Sequence, residues 1–215
     1  MIVESMPHTE VYQELARERE TVTRWWRHNL WNQRRRVLKS THFPLNLWFD
    51  YTSAHKNRYL FFTLIFDKKM KRIMTGVAVP RMMKDGMYVY TSWLADHKLI
   101  FPMVLTPHMW KRYQDPDRGN VQKSGTELIK HYFIHNTHGK DTHNNRVMAR
   151  SVRWNGEEHQ ACCVNEGVLL GQVKDKYFLV RTFITYDMAT GKQKEVFDAR
   201  HERVLRISEM FNLTN

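Results

Sequence analysis

The spacing of hydrophobic residues changes along the chain, and its first third has the period of a helix. From Thr9 to about Lys39, apolar residues such as Val11, Leu15 and Val22 recur every three or four positions among charged ones, as they do in an amphipathic helix. Thr9 is a predicted N-cap residue. This segment therefore predicts one long helix or two shorter ones.

After this segment the period shortens toward two, and β-branched and aromatic residues dominate. Arg58–Asp67 and Arg72–Pro80 are of this kind, and the polar residues between them predict a hairpin turn. Gly86–Leu94 and Lys98–Thr106 continue the pattern. The four segments predict an antiparallel meander.

The second half of the chain returns to a helix and then to strands. Gly125–Asn136 has the helical period, with Leu128, Tyr132 and Phe133 expected to face inward. Short β-like runs separated by turn residues follow: Arg146–Trp154, Gln160–Asn165, Val168–Val173 and Tyr177–Thr185. Residues 192–210 are charged, with apolar positions at helical spacing, and predict a closing helix.

Together these elements predict an α+β fold. One or more antiparallel sheets are accompanied by an N-terminal helical arm and a C-terminal helix. Residues 1–45 form the basic arm and residues 46–215 a single α+β domain, with a candidate sub-boundary near residue 107.

Charge narrows the class of partner. The 215 residues include 34 Lys and Arg against 22 Asp and Glu, a formal net charge of +12 at pH 7. Such a field concentrates polyanions, so nucleic acid or an anionic membrane surface is the natural partner class. The alternative is a protein whose charge serves solubility alone.

Location follows from the termini, the hydropathy and the cysteines. The first eight residues do not have the pattern of a signal peptide, and no run of about 18 apolar residues predicts a membrane span. Cys162 and Cys163 are adjacent and are the chain's two cysteines, a spacing that disfavours a disulfide. A cytoplasmic protein that does not contact membrane is expected.

Arginines and tryptophans are interleaved in the N-terminal segment. Guanidinium groups bind phosphates and stack on bases, and tryptophan rings stack on unpaired bases, so this mixture suits an RNA or single-strand surface. The alternative is an amphipathic helix whose tryptophans cover a sheet and whose arginines are solvated. The candidate nucleic-acid-binding residues are Arg24, Trp25, Arg27, Trp31, Arg34, Arg35 and Arg36.

A histidine cluster is the candidate for a metal. His131 and His135 are four positions apart and would share one face of a helix, and His138 or His143 could complete the ligand set. The glutamate that follows the first histidine in zinc-protease helices is missing. Solvated histidines at a helix end are the favoured interpretation, and no metal or other cofactor is expected.

A second pair of residues suggests phosphodiester chemistry. His108 and Arg112 are four apart, so a helix that begins near Pro107 places both on one face. An imidazole can move a proton at a ribose 2′-hydroxyl or at the leaving oxygen, while a guanidinium stabilises charge on phosphate oxygens. A capped helix with a solvated arginine is the alternative.

A family resemblance rests on His108, Arg112, Tyr113, Arg118 and the strand end Val180–Thr185. Over residues 100–190 this order resembles the small ribonuclease domains that share the barnase, EndoU, colicin and RelE fold, especially toxin-like members. The resemblance implies metal-independent RNA cleavage. It also implies general acid or base work by His108 and phosphate binding by Arg112 and Arg118, with Thr182 or Thr185 facing the same cleft.

The sequence thus predicts a protein that interacts with nucleic acid, RNA more than DNA. Endoribonuclease activity is the sharper hypothesis. The alternatives are a non-catalytic RNA- or DNA-binding module and an interaction protein of mobile-element origin, and no oligomeric state is predicted.

Overall fold

The chain forms two compact units. The computed structural model describes residues 2–95, 98–117, 119–136, 149–154, 157–174, 177–191, 194–195 and 197–202. Unit 1 comprises Met1–Met83 and Val89–Pro102, and unit 2 comprises Lys84–Tyr88 and Met103–Asn215. The predicted arm lies within unit 1. The mixture of helices and strands confirms the predicted α+β class.

Unit 1 begins with two helices, α1 (His8–Asn32) and α2 (Arg34–Lys39). They confirm the predicted helical segment and divide it at Gln33. The prediction that Thr9 is the N-cap is wrong, because the helix begins at His8 with Pro7 as the N-cap residue. Pro7 already has an extended ψ of 157°, and its carbonyl accepts the N–H of Val11 at 3.1 Å, so no side-chain cap is required.

The strands of unit 1 begin with three antiparallel ones, β1 (Leu45–Thr52), β2 (Arg58–Ile65) and β3 (Ile73–Met83). Strands β4 (Gly86–Ala95) and β5 (Lys98–Leu105) follow, and each contributes residues to both units. β2 to β5 confirm the four predicted strands. β1 was not predicted, because Asn46 and Asp50 interrupt its apolar run.

Helix α1 covers one face of β1 and β2. The ring of Trp25 stacks on Tyr51 at 4.5 Å between centroids, and the Trp26 indole N–H donates to Thr63 Oγ1 at 3.1 Å. Further along, Leu30 of α1 joins a buried cluster that also contains Val37, Leu47 and Ile65. Burying these side chains stabilises the helix on the sheet, since each fully buried side chain of this size contributes about 1.5–3 kcal/mol.

Unit 2 contains helices and an antiparallel set of strands. Its first two helices are α3 (Pro107–Gln114) and α4 (Gly125–Asn136), and α4 has the predicted bounds with Leu128, Tyr132 and Phe133 buried as expected. The strands are β6 (Ala149–Trp154), β7 (Glu157–Val164), β8 (Gly167–Lys174) and β9 (Tyr177–Ile184), which are the predicted ones with shifted ends. Residues 146–148, the start of the strand predicted over Arg146–Trp154, lie outside the described residues.

One strand pair departs from the predicted antiparallel arrangement. The end of β5, Met103–Leu105, pairs in parallel with Phe178–Val180 of β9. Two helices and three strands intervene in the sequence, and a parallel pair requires such a long connection. Local hydrophobic periodicity carries no information about this pairing, so it could not be predicted.

The sheet of unit 2 is covered on both faces. On one face the Tyr113 ring of α3 meets Tyr132 and Phe183 edge-to-face at 5.3 and 5.2 Å. On the other, strand residues such as Ala161 pack with Phe197. Residues 197–202 are helical, which confirms the closing helix there; the rest of that prediction, beyond residue 202, lies outside the described residues. None of the helices described here is long and apolar enough to cross a membrane.

Candidate nucleic-acid interface

Cationic side chains crowd the surface formed by the second half of α1 and by α2. We call this set, together with Trp31, the arginine surface. Every member is solvent-exposed. The cations are Arg24, Arg27, Arg34, Arg35, Arg36 and Lys39.

Helical spacing explains why these side chains share one side. Arg24, Arg27 and Trp31 are three and four positions apart, so they align along about 10 Å of the outer surface of α1. The inner surface at the same level presents Trp26 and Leu30 to the sheet. Packing of the inner surface therefore orients the outer one.

The tryptophans of this segment divide between the two surfaces. Trp31 is 62% exposed, and the Arg34 guanidinium lies 4.9 Å from its ring centroid in a cation–π contact. Trp25 was a predicted binding residue, but its ring stacks on Tyr51 and Phe61 of the sheet. Trp26 also packs inward. Trp31 is thus the exposed stacking group of this segment.

Acidic residues do not offset the charge of this surface. Between Glu20 and Asp50 the sequence contains no Asp or Glu. Glu20 accepts from Arg24 at 3.0 Å, but both side chains are about four-fifths exposed or more, and such a pair contributes little. The arginine surface therefore carries a strong positive field, which is the electrostatic property of a phosphate-binding surface.

A shallow depression adjoins the arginine surface at the start of β1. Arg35, Arg36 and Lys39 line it together with Ser40 and Leu45, and it encloses about 480 Å³. Three cations around one concave region concentrate the positive potential there. The depression can therefore receive a segment of phosphate backbone.

The predicted catalytic pair lies on α3 in unit 2. Thr106 caps this helix by accepting from the Met109 N–H, which confirms a helix beginning at Pro107. His108 is exposed. Arg112 is partly buried and forms an ion pair with Asp115 at 3.5 Å. A guanidinium already paired with a carboxylate is less suited to binding phosphate, because the anion must compete with Asp115.

Thr182, one of the two predicted threonines, lies on the face of β9 away from α3. Phe183 of β9 points toward α3, and side chains alternate along a strand, so Thr182 points to the opposite face. Its cross-strand partner Leu170 packs there with the cluster that contains Phe197. Thr185 follows β9 and precedes a short 3-10 helix. Arg118 lies outside the described residues.

Sequence reasoning missed a polar network at the ends of α3 and α4. The Tyr113 hydroxyl donates to Glu166 Oε2 at 2.5 Å, and Asn136 Nδ2 donates to the same oxygen at 2.7 Å. Burial, and then the contact with Glu166, raises the pKa of Tyr113 far above its ordinary value. Glu166 lies in the turn between β7 and β8, and its separation from Tyr113 by 53 residues left no local signal.

His131 and His135 do come together at this network, as their spacing predicts. Their rings stack with centroids 4.1 Å apart. Desolvation, reinforced by His135, lowers the pKa of His131. Among the residues that the structure describes, no group of three or more His, Cys, Asp or Glu side chains is arranged to hold a metal ion. His138 and His143 lie outside those residues.

Comparisons with known proteins add no assignment. Neither protein-family models, nor curated proteins, nor solved structures give a significant match to this chain.

Proposed function

We propose that this chain is a nucleic-acid-binding protein whose contact surface is the arginine surface, with RNA as the preferred partner. The observation that supports the proposal is Trp31, which stands 62% exposed among six exposed cations and carries Arg34 against its ring. An exposed indole costs free energy in water, whereas the Trp25 ring is packed against Tyr51 of the sheet.

The chemistry of the surface favours an unpaired strand. Arginines contact phosphates without regard to sequence, and aromatic rings stack on bases that are not enclosed in a duplex. Sequence-specific RNA recognition relies on such exposed bases, which is why RNA is the preferred partner. A cytoplasmic location completes the proposal, since the chain's two cysteines, Cys162 and Cys163, are not joined by a disulfide.

The test is a salt titration of binding to a fluorescein-labelled single-stranded RNA, followed by anisotropy. Each phosphate contact contributes about 0.7 to the slope of log affinity against log salt for a single strand. The double variant R35Q/R36Q should therefore make this slope shallower by about 1.4. W31A should weaken binding by about tenfold, within the 1–3 kcal/mol of one stacked base.

The matched control removes two positive charges at the other end of α1 and β1. Arg17 is exposed in the first half of α1, and Lys56 lies in the turn after β1. R17Q/K56Q should leave the slope within about 0.3 of the wild-type value, since its phosphate contacts remain. Absence of binding at low salt, or equal effects of the two double variants, would overturn the proposal.

A further inference from the structure

The turn between β2 and β3 carries cations that do not belong to the arginine surface. Lys68, Lys69 and Lys71 are exposed, and none of the three forms an ion pair within the part of the chain that the structure describes. The acidic residue of the turn, Asp67, pairs instead with Arg72 at 3.7 Å. The three lysines therefore keep their charge for a ligand.

Hydrogen bonds fix the shape of this turn. The Asp67 carboxylate accepts from the backbone N–H groups of Lys71 and Arg72 at 3.2 and 3.1 Å. The N–H of Met70 donates to the Asp67 carbonyl at 3.0 Å, and Met70 takes a left-handed φ of 54°. Because the backbone is already ordered, only the lysine side chains lose freedom when a ligand binds, which reduces the entropic cost of binding.

Strand register places the turn at the same end of the sheet as the depression. Leu45, which lines the depression, is paired with Ile65, the last residue of β2. Ile65 is also paired with Ile73, the first residue of β3. The chain therefore enters and leaves the turn at the level of Leu45.

Packing also places the turn on the side of the sheet that α2 covers. Met70 packs against the buried cluster that contains Val37 of α2, and Leu45 packs against the same cluster. Lys69 and Lys71 flank Met70 in the sequence. The cations of α2 and those of the turn thus gather around one apolar cluster, although they come from separate segments of the chain.

We propose that the β2–β3 turn is a second phosphate-binding element, and that one RNA strand runs from α2 past the depression to this turn. The inference rests on the proposed function, which it deepens. A lysine ammonium group is a compact charge with three donors and binds phosphate without a fixed orientation. Contacts of this kind position a strand but carry no sequence information. The alternative is a turn whose lysines are only solvated.

The first experiment repeats the salt titration with the same labelled single-stranded RNA. K68Q/K69Q should make the slope of log affinity against log salt shallower by about 1.4, because it removes two phosphate contacts of about 0.7 each. Combined with R35Q/R36Q, the change should reach about 2.8, since the contacts are separate. The affinity loss should be the same for RNAs of different sequence.

The matched control is again R17Q/K56Q, which removes the same charge but has its lysine in the turn at the opposite end of β1. Equal slopes in K68Q/K69Q and the control would overturn the inference, because net charge alone would then explain them. A wild-type slope in K68Q/K69Q, with R35Q/R36Q still effective, would overturn it and leave the proposed function in place. No binding of RNA by the wild-type protein at low salt would overturn both.

Lysine acetylation, read by mass spectrometry, tests the same contact in the wild-type protein and so does not depend on the folding of a variant. Saturating RNA should protect Lys68 and Lys69 from acetylation together with Lys39 of the arginine surface. Lys56 is exposed and should react at the same rate with and without RNA. Protection of Lys39 without protection of Lys68 and Lys69 would overturn the inference alone.

Discussion

Glu18 shows at the scale of one residue how a charge is tolerated inside unit 1. Its carboxylate accepts hydrogen bonds from Asn57 Nδ2 at 2.5 Å and from the Tyr59 hydroxyl at 2.7 Å. Burial by itself raises the pKa of Glu18, but hydrogen bonds from Ser53, Asn57 and Tyr59 outweigh it and leave the pKa below its ordinary value. The ionised form is thus the form that stabilises the fold.

Replacing Glu18 should therefore have an effect that depends on pH. At pH 7, E18A should lower the free energy of unfolding by about 2 kcal/mol, because Asn57 and Tyr59 lose their acceptor. A carboxyl whose pKa is lower in the folded than in the unfolded protein stabilises the fold at pH values above the unfolded pKa of about 4.3. That stabilisation is lost as the pH falls through the folded pKa. Urea titrations at pH 7 and pH 3 should show the difference shrinking in acid.

A nearby glutamate provides the control for this prediction. Glu20 is 87% exposed and pairs only at the surface with Arg24. E20A should change the free energy of unfolding by no more than about 0.5 kcal/mol at either pH. An E18A effect of the same size at both pH values would show that the carboxylate charge is not what stabilises this part of unit 1.

At the scale of the element, helix α3 depends on its N-cap residue, Thr106. Thr106 accepts from the Met109 N–H and also donates to the carbonyl of Arg181 at 3.2 Å. T106A should lower the free energy of unfolding by about 1 kcal/mol, as measured by thermal or denaturant unfolding, since a helix N–H loses its cap. T106S keeps the hydroxyl and should lose less than half as much. Equal losses would assign the effect to the methyl group.

Strands β2 and β3 depend on a glycine. Gly76 is paired with Phe62, and a Cβ at Gly76 would lie 1.8 Å from the Phe62 ring. Since Phe62 is fully buried, its ring has little space into which to move. G76A should lower the free energy of unfolding by about 1–3 kcal/mol through overpacking.

A second substitution separates crowding from strand propensity. In G76A/F62L the smaller side chain opens space above the added methyl group, so part of the lost stability should return in denaturant titrations. If F62L adds its own loss in full to that of G76A, the two sites are independent, and the overpacking account is wrong.

At the scale of the whole molecule, the strongest charge and the predicted nuclease residues belong to different units. The arginine surface lies in unit 1, whereas His108 and Arg112 lie in unit 2. Within unit 2, Arg112 is paired with Asp115, and Thr182 points away from α3. We therefore expect binding without cleavage. The ribonuclease hypothesis itself stays a prediction.

Incubation of the intact protein with end-labelled RNA in the presence of a chelator tests this expectation. The RNA should be retained by the protein yet migrate at full length on a denaturing gel, because Arg112 is engaged by Asp115 and Thr182 faces away from α3. Cleavage that disappears in H108A and R112A would contradict it and support the ribonuclease hypothesis. Cleavage that persists in both variants would point to a contaminant or another site.

Local elements were largely predictable from sequence. The helical period located α1, α2 and α4, and β-rich composition between turn residues located β2 to β9, because these patterns depend only on neighbouring residues. Helix α3 was expected only from the spacing of His108 and Arg112 after Pro107. The excess of cations between Arg24 and Lys39 was also visible, since charge is a property of composition. Burial of Leu128, Tyr132 and Phe133 followed from the same periodicity.

Contacts between distant residues were decided by tertiary structure. From sequence, Trp25 and Trp31 are equally good candidates for stacking on a base. The structure distinguishes them, because Trp25 packs on Tyr51 whereas Trp31 stays exposed. The parallel pairing of β5 with β9 and the bond between Tyr113 and Glu166 join segments more than 50 residues apart. Such pairings depend on the free energy of the whole packed chain, and periodicity within a short window reports only which face of an element is apolar.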